Sequence, residues 1–166
     1  FKQKTAYEIS LGLVGSEMCI RDSFSYELIK QQGEFVVNVP TSRLLDEVVK
    51  CGSTTGRSVD KFRLLGLTPG RARRVEVPIV EECVAHLECR VFKEVEAGDH
   101  RLILGEVLAA YAEGELLSVD DDGIPLWDLE KARLLLHVGG RLYASPSEAL
   151  RSRVDYSFFP RPRLAP

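Results

Sequence analysis

The sequence predicts a mainly β domain with short flanking helices, and two features of the chain carry this prediction. The segment Glu34–Val39 is rich in β-branched and aromatic residues and stops at Pro40, as strands often do. Cys83–Glu94 and Arg101–Tyr111 are two longer strand-like segments around the turn Ala97-Gly-Asp99, a pattern typical of a β-hairpin. The predicted helices are all short.

The remaining elements are predicted from helix and turn signals. Tyr26–Gly33 reads as a helix that ends at its glycine. Ser42 is expected to cap a helix over Arg43–Cys51, and a shorter helix is expected to begin at Ser58 and run through Leu65. Residues 134–143 are expected to form one closing strand that bends at its glycines.

The first 23 residues are predicted to be foreign to the protein. The runs Lys2–Ile9 and Leu13–Ser23 resemble translations of sequencing-adapter DNA, and such segments are excluded from fold reasoning. The predicted organisation is therefore an adapter-derived segment at 1–23, one domain at 24–150, and a loose tail at 151–166. The start at Phe24 without a methionine predicts a domain truncated at its N-terminus, and a domain with an unpaired strand edge is expected to be poorly soluble.

Composition narrows the class of protein. The chain is 45% hydrophobic and 28% charged with a net charge of −3, which is ordinary for a soluble globular domain and argues against nucleic acid or an anionic membrane as the main partner. It contains no apolar stretch long enough to span a bilayer. Once Cys19 is excluded with the segment 1–23, three cysteines remain, Cys51, Cys83 and Cys89. This odd number without C-x-x-C spacing predicts reduced thiols in a cytoplasmic protein.

One segment has the composition of an anion-binding loop. Small hydroxyl residues and a glycine lead into the expected helix start, with two cations alongside; the candidates are Ser53, Thr55, Gly56, Arg57 and Lys61. Main-chain N–H groups, hydroxyls and a lysine together suit a phosphate. The alternative is that these residues only cap the helix.

Other polar residues offer weaker candidates. His100 follows the hairpin turn, Asn38 lies at a strand end, and His86 and His137 are expected to be structural. Glu82, Glu88 and Glu106 have alternating apolar neighbours, so we expect carboxylates that face outward or pair across the strand ladder, and we assign no catalytic acid. The three histidines lie in separate elements, and no metal site is predicted.

Five motifs, taken in order, resemble the flavin-reductase-like family of FMN-binding split barrels. They are Phe35-Val-Val-Asn-Val-Pro-Thr41, Cys51-Gly-Ser-Thr-Thr-Gly-Arg-Ser-Val-Asp-Lys-Phe62, Glu82-Cys-Val-Ala-His-Leu-Glu-Cys89, Gly98-Asp-His100 and Gly105-Glu-Val107. In that family the second motif reads roughly Ser-Gly-Arg-Asp-Val-Asp-Lys-Phe. The chain matches it with a conservative change at Thr55 and departs from it at Ser58, which leaves the role of that one side chain in doubt.

The resemblance implies a Greek-key antiparallel split barrel with flanking helices, acting as a homodimer. By the layout of that family, the domain at 24–150 would lack its N-terminal strands. It implies FMN or FAD as cofactor and NAD(P)H as co-substrate, with hydride transfer to the flavin that supplies a partner such as a monooxygenase. Lys61 would then meet the flavin phosphate, His100 the flavin ring or the nicotinamide, and Asn38 the rim of the pocket. Two alternatives stay open: a non-enzymatic FMN-binding electron carrier, and a flavin-free dimeric interaction module of the same fold.

Overall fold

The computed structural model describes residues 24–98, 100–120 and 123–149. The predicted adapter segment, the predicted tail and Asp99 lie outside these ranges. The described chain begins with helix α1 (Phe24–Gln32), which ends at Gly33 with φ of 69°, a left-handed conformation that glycine adopts without steric cost. Strand β1 (Glu34–Val39) follows, and both predictions are confirmed.

The principal sheet is antiparallel throughout, and its strands lie in the order β1, β4 (Ala85–Ala97) and β5 (His100–Ala112). Strands β4 and β5 form the predicted hairpin, and β1 pairs with the first half of β4 in a register from Glu34 opposite Arg90 to Val39 opposite Ala85. The β4–β5 ladder shifts register at Glu88/Cys89 and between Val91 and Lys93. Such irregularities bend a strand and increase its twist.

Two predicted helix starts were wrong in detail. A 3₁₀ turn at Ser42–Leu44 precedes helix α2 (Leu45–Ser53). The N-cap of this turn is Thr41, whose hydroxyl accepts the N–H of Arg43. Helix α3 is only Lys61–Leu65 and begins after Asp60 rather than at Ser58. The carboxylate of Asp60 accepts the N–H of Arg63, so an acidic side chain already satisfies this short helix start.

Short strand pairs complete the described chain. Strands β2 (Pro69–Gly70) and β3 (Ile79–Val80) form one pair, and β6 (Leu117–Val119) and β7 (Pro125–Trp127) form a second. Helix α4 (Leu129–Ala132) follows them. The expected single closing strand is instead a hairpin of β8 (Leu136–Gly139) and β9 (Leu142–Ala144), because Gly139 and Gly140 both take positive φ and reverse the chain.

The segment after α4 is joined to the end of β1. Ser42 donates its N–H to the carbonyl of Arg133 over 2.8 Å, and Leu135 donates to that of Pro40 over 3.2 Å. The described strands form one three-stranded sheet and three two-stranded pairs, and they do not close into a continuous barrel. Within the described ranges, no helix combines the length and apolar character needed to cross a bilayer.

The buried core lies around the start of β4. Its apolar members are Tyr26, Val75, Cys83, Val84, Ala85, Cys89 and Ala132. The predicted free thiols are confirmed for the three cysteines that the structure describes, Cys51 being half-buried and Cys83 and Cys89 buried. Burial raises the pKa of Cys83 to about 11 and also raises that of Cys89, so both thiols stay protonated and unreactive near neutral pH.

Candidate functional site

Lys61, the predicted phosphate contact, lies where α3 meets the end of α2. Its ammonium group donates to the carbonyl of Cys51, in the last turn of α2, over 2.7 Å. A cation at the C-terminal end of a helix is favoured by the helix dipole. An ammonium group has three N–H donors, and within the described part of the chain only this one hydrogen bond uses them. Lys61 is thus held in place with donors left for an anion.

The loop that joins α2 to α3, residues 54–60, is shaped by its own hydroxyls. The carbonyl of Thr55 accepts the N–H of Ser58, and its hydroxyl oxygen accepts the N–H of Arg57 over 3.3 Å. The O–H of Thr55 therefore remains available as a donor. The hydroxyl of Ser53, in contrast, donates to the carbonyl of Val49 within α2 over 2.8 Å, which makes Ser53 a helix-end residue.

Gly56 and Arg57 pack the loop against α1. A Cβ added at Gly56 would lie 2.9 Å from Cδ1 of Phe24, so the close approach of loop and ring requires glycine. The guanidinium of Arg57 lies 5.4 Å from the centre of the same ring and forms an ion pair with Glu27. Both charged side chains are about half exposed, so this pair contributes little to stability and can exchange partners.

Asn38 holds a neighbouring strand and a histidine. Its Oδ1 atom accepts the N–H of Val80 over 3.0 Å and lies 2.8 Å from Nδ1 of His86, its cross-strand neighbour. Because the Asn38 oxygen can only accept, Nδ1 of His86 must donate to it and carries the proton in the neutral imidazole ring. Burial lowers the pKa of His86 despite the opposing effect of the nearby Glu88 carboxylate. The arrangement supports the structural role expected of His86 and gives Asn38 the same role.

His100 stands at the other end of the sheet. It is the first residue of β5, opposite Ala97, whereas Asn38 pairs with His86. At roughly 3.3 Å per residue, these two positions are about 35 Å apart along β4. Within one chain, the structure does not bring the two predicted ligand contacts together.

Glu88 is a buried carboxylate that the sequence reasoning placed wrongly. The sequence predicts a carboxylate that faces outward or pairs across the ladder, yet Glu88 is fully buried. Its oxygens accept the main-chain N–H groups of Arg73 over 2.8 Å and Arg74 over 2.6 Å, and the hydroxyl of Tyr111 over 2.8 Å. Burial by itself would raise the pKa of Glu88, but these donors outweigh it and hold the pKa below its usual value.

Tyr111 joins this buried carboxylate to an arginine. Burial, followed by the hydrogen bond to Glu88, raises the pKa of Tyr111 to about 12, so its hydroxyl remains a donor. The guanidinium of Arg73 lies 3.7 Å from the centre of the Tyr111 ring, a cation–π contact. Arg73 belongs to the segment Gly70–Pro78, called here the arginine loop, which was not selected as a site. The sequence feature that indicates this loop is the basic run Arg71-Ala-Arg-Arg74.

Comparison with known proteins defines the class. The flavin reductase like domain matches residues 11–140, and the chain belongs to this family. The match begins inside the segment predicted to be foreign, and the origin of that segment stays a prediction. The fold is that of the split-barrel flavin reductases, as the flavoredoxin of Desulfovibrio vulgaris shows with a TM-score of 0.68, 25% identity, and coverage of 87% of this chain and 71% of that one.

Among the similar proteins, one has a named activity and another a named ligand. A flavin reductase (NADH) of Kitasatospora aureofaciens is 36% identical over 108 residues, 61% of this chain and 51% of the relative. A protein of Archaeoglobus fulgidus is 51% identical over 85 residues, 51% of this chain and 48% of the relative. An FMN-binding protein from Thermus thermophilus, solved with bound 1-cyclohex-2-enone, has a TM-score of 0.65 and 29% identity, covering 79% of this chain and 68% of that one. The chain spans about half the length of the curated relatives it matches.

Proposed function

We propose that this chain is part of an FMN-binding flavin reductase that uses NAD(P)H to reduce flavin. The observation that carries the proposal is Lys61, which matches the family's phosphate-binding motif and stands in the structure with ammonium donors to spare. Family membership and the likeness to an NADH-dependent flavin reductase support the activity. The likeness to an FMN-binding protein supports the cofactor.

The donor chemistry of the α2–α3 loop fits a flavin phosphate. Lys61 offers a charge, Thr55 offers an O–H, and Arg57 can leave its exposed pair with Glu27. The proposal does not use the helix dipole of α3, because Asp60 caps that five-residue helix. When bound, flavin supplies the redox chemistry, accepting a hydride and passing electrons on. The protein's part is to hold the phosphate and orient the ring.

The proposal extends to a homodimer in which His100 contacts the ligand. His100 and Asn38 lie at opposite ends of the sheet in one chain, so a site that includes His100 need not include Asn38. The hairpin of β4 and β5 continues past Arg90, which lies opposite the first residue of β1, and Phe92 on this unpaired part is 76% exposed. A partner subunit covering this apolar ring would place His100 at an interface. Reduced flavin would then pass to a partner enzyme such as a monooxygenase.

The test is to purify the chain, record its visible absorbance, and measure NADH and NADPH oxidation with added FMN, FAD and riboflavin. Flavin-dependent oxidation of either nicotinamide supports the proposal. Stoichiometric bound FMN without nicotinamide oxidation would instead indicate the electron-carrier alternative. Failure to bind any flavin would contradict the proposal and favour the interaction module. Sedimentation with and without FMN tests the dimer.

A further inference from the structure

The arginine loop encloses a concave surface that the proposed flavin site does not use. The cavity has a volume of about 310 Å³ and is lined by the loop itself, residues 70–78. Three of these residues are Arg71, Arg73 and Arg74, and one, Glu76, is acidic. The chain as a whole has a net charge of −3, so this concentration of positive charge is local to the loop.

The three guanidinium groups are not neutralised by carboxylates. Within the ranges that the structure describes, Arg71, Arg73 and Arg74 take part in no ion pair. The carboxylate nearest to the loop backbone, Glu88, is bound by main-chain N–H groups and by the Tyr111 hydroxyl instead. The neighbouring Glu81 lies against Gly70 at the loop's first residue. The residues that line the cavity thus carry three positive charges and one negative charge, that of Glu76.

The loop is also held in one shape. Two consecutive N–H groups bind the buried Glu88, and the guanidinium of Arg73 rests on the Tyr111 ring. At the loop's far side, the main-chain N–H of Glu76 donates to Glu34 on β1 over 3.1 Å. Arginines on a backbone fixed in this way lose less conformational freedom on binding than arginines on an unconstrained loop.

We propose that the arginine loop is a binding site for a phosphate-bearing anion, with a diphosphate group as the preferred ligand. The planar fork of a guanidinium matches phosphate oxygens two at a time, and several such forks favour an extended anion over a single charge. The cavity is at the small end of the range for ligand sites, so it holds the phosphate groups while the rest of a larger ligand lies outside. The inference depends on no step of flavin reduction.

The test is calorimetric titration of the chain at low salt with inorganic diphosphate, ADP-ribose and adenosine. We expect the first two to bind and adenosine not to bind. The double variant Arg71→Ala/Arg74→Ala should lower the affinity for diphosphate about tenfold or more, because two charge-assisted contacts are lost. The main-chain N–H groups that bind Glu88 remain in this variant, so its thermal unfolding should match the wild type.

Matched variants separate this site from other cations. Arg43→Ala/Arg141→Ala removes two exposed arginines elsewhere and should leave diphosphate binding unchanged. ADP-ribose binding more tightly than diphosphate assigns the site to a nucleotide, and equal binding assigns it to the inorganic anion; both support the inference. It is overturned if neither compound binds, if the control variant loses as much affinity, or if Lys61→Ala abolishes diphosphate binding while the loop variant retains it. Diphosphate binding without flavin binding would contradict the proposed function alone.

Discussion

The hydroxyl of Tyr111 donates a 2.8 Å hydrogen bond to the buried carboxylate of Glu88, from the neighbouring strand of the sheet. The same carboxylate receives two main-chain N–H groups from the arginine loop. One acidic side chain therefore ties β4, β5 and the loop together. A carboxylate inside a sheet is tolerated because its charge is met by several donors.

Replacing Glu88 should cost much more stability than removing one of its donors. The carboxylate of Glu88 accepts two main-chain N–H groups of the loop, and Glu88→Gln replaces it with a neutral amide. We therefore expect a loss of about 3 kcal/mol in the free energy of unfolding. Tyr111→Phe removes a single hydroxyl and should cost about 1 kcal/mol. Urea unfolding of the two variants measures the difference. Equal losses would show that the loop N–H groups contribute nothing.

The pH dependence of stability should have two parts. The folded pKa of His86 lies below the ordinary 6.5, so the unfolded chain takes up the proton first and stability falls as pH drops below about 6.5. The folded pKa of Glu88 lies below the ordinary 4.5, so its contribution is lost only as pH falls further, below about 4.5. Thermal unfolding between pH 7 and pH 3 should show both. His86→Gln should remove the upper step while leaving the lower one.

Lys61→Ala should weaken FMN binding while leaving riboflavin binding nearly unchanged, because only FMN carries the phosphate. A charge-assisted contact contributes about 1.5–3 kcal/mol, which corresponds to roughly a 10- to 150-fold change in Kd. Fluorescence titration with both flavins measures this. Lys50→Ala, which removes an exposed lysine on α2, is the control. Equal weakening of both flavins by Lys61→Ala would contradict a phosphate contact.

Gly105→Ala should destabilise the sheet. An added Cβ would lie 2.6 Å from Cζ of Phe35 and 3.1 Å from Cβ of Cys89, where β1, β4 and β5 pack together. Overpacking of this kind costs about 1–3 kcal/mol. Gly114→Ala, where no atom lies within 4 Å of the added carbon, should have little effect. Chemical unfolding compares the pair, and an unchanged midpoint for Gly105→Ala would mean that Phe35 moves aside without cost.

Elements whose signals are local were predicted well. The helix that ends at Gly33, the strand that stops at Pro40, and the β4–β5 hairpin follow from propensities and turn residues within a few positions. The family could be predicted for the same reason, since its motifs are short and contiguous. Errors of a few residues arose at helix starts, where Thr41 and Asp60, instead of Ser42 and Ser58, satisfy the first N–H groups.

What only the tertiary structure decided is the partner of each polar side chain. Glu88 and its alternating neighbours look the same in sequence whether the strand is covered on one face or on both; the arginine loop, Tyr111 and β1 bury the carboxylate. The hydrogen bond from Lys61 to Cys51 likewise joins two helices across the loop of residues 54–60. The sequence by itself determined β1, the β4–β5 hairpin and the family. Long-range packing determined which charges are buried and which remain available to a ligand, because burial depends on what covers a residue as well as on its neighbours in the chain.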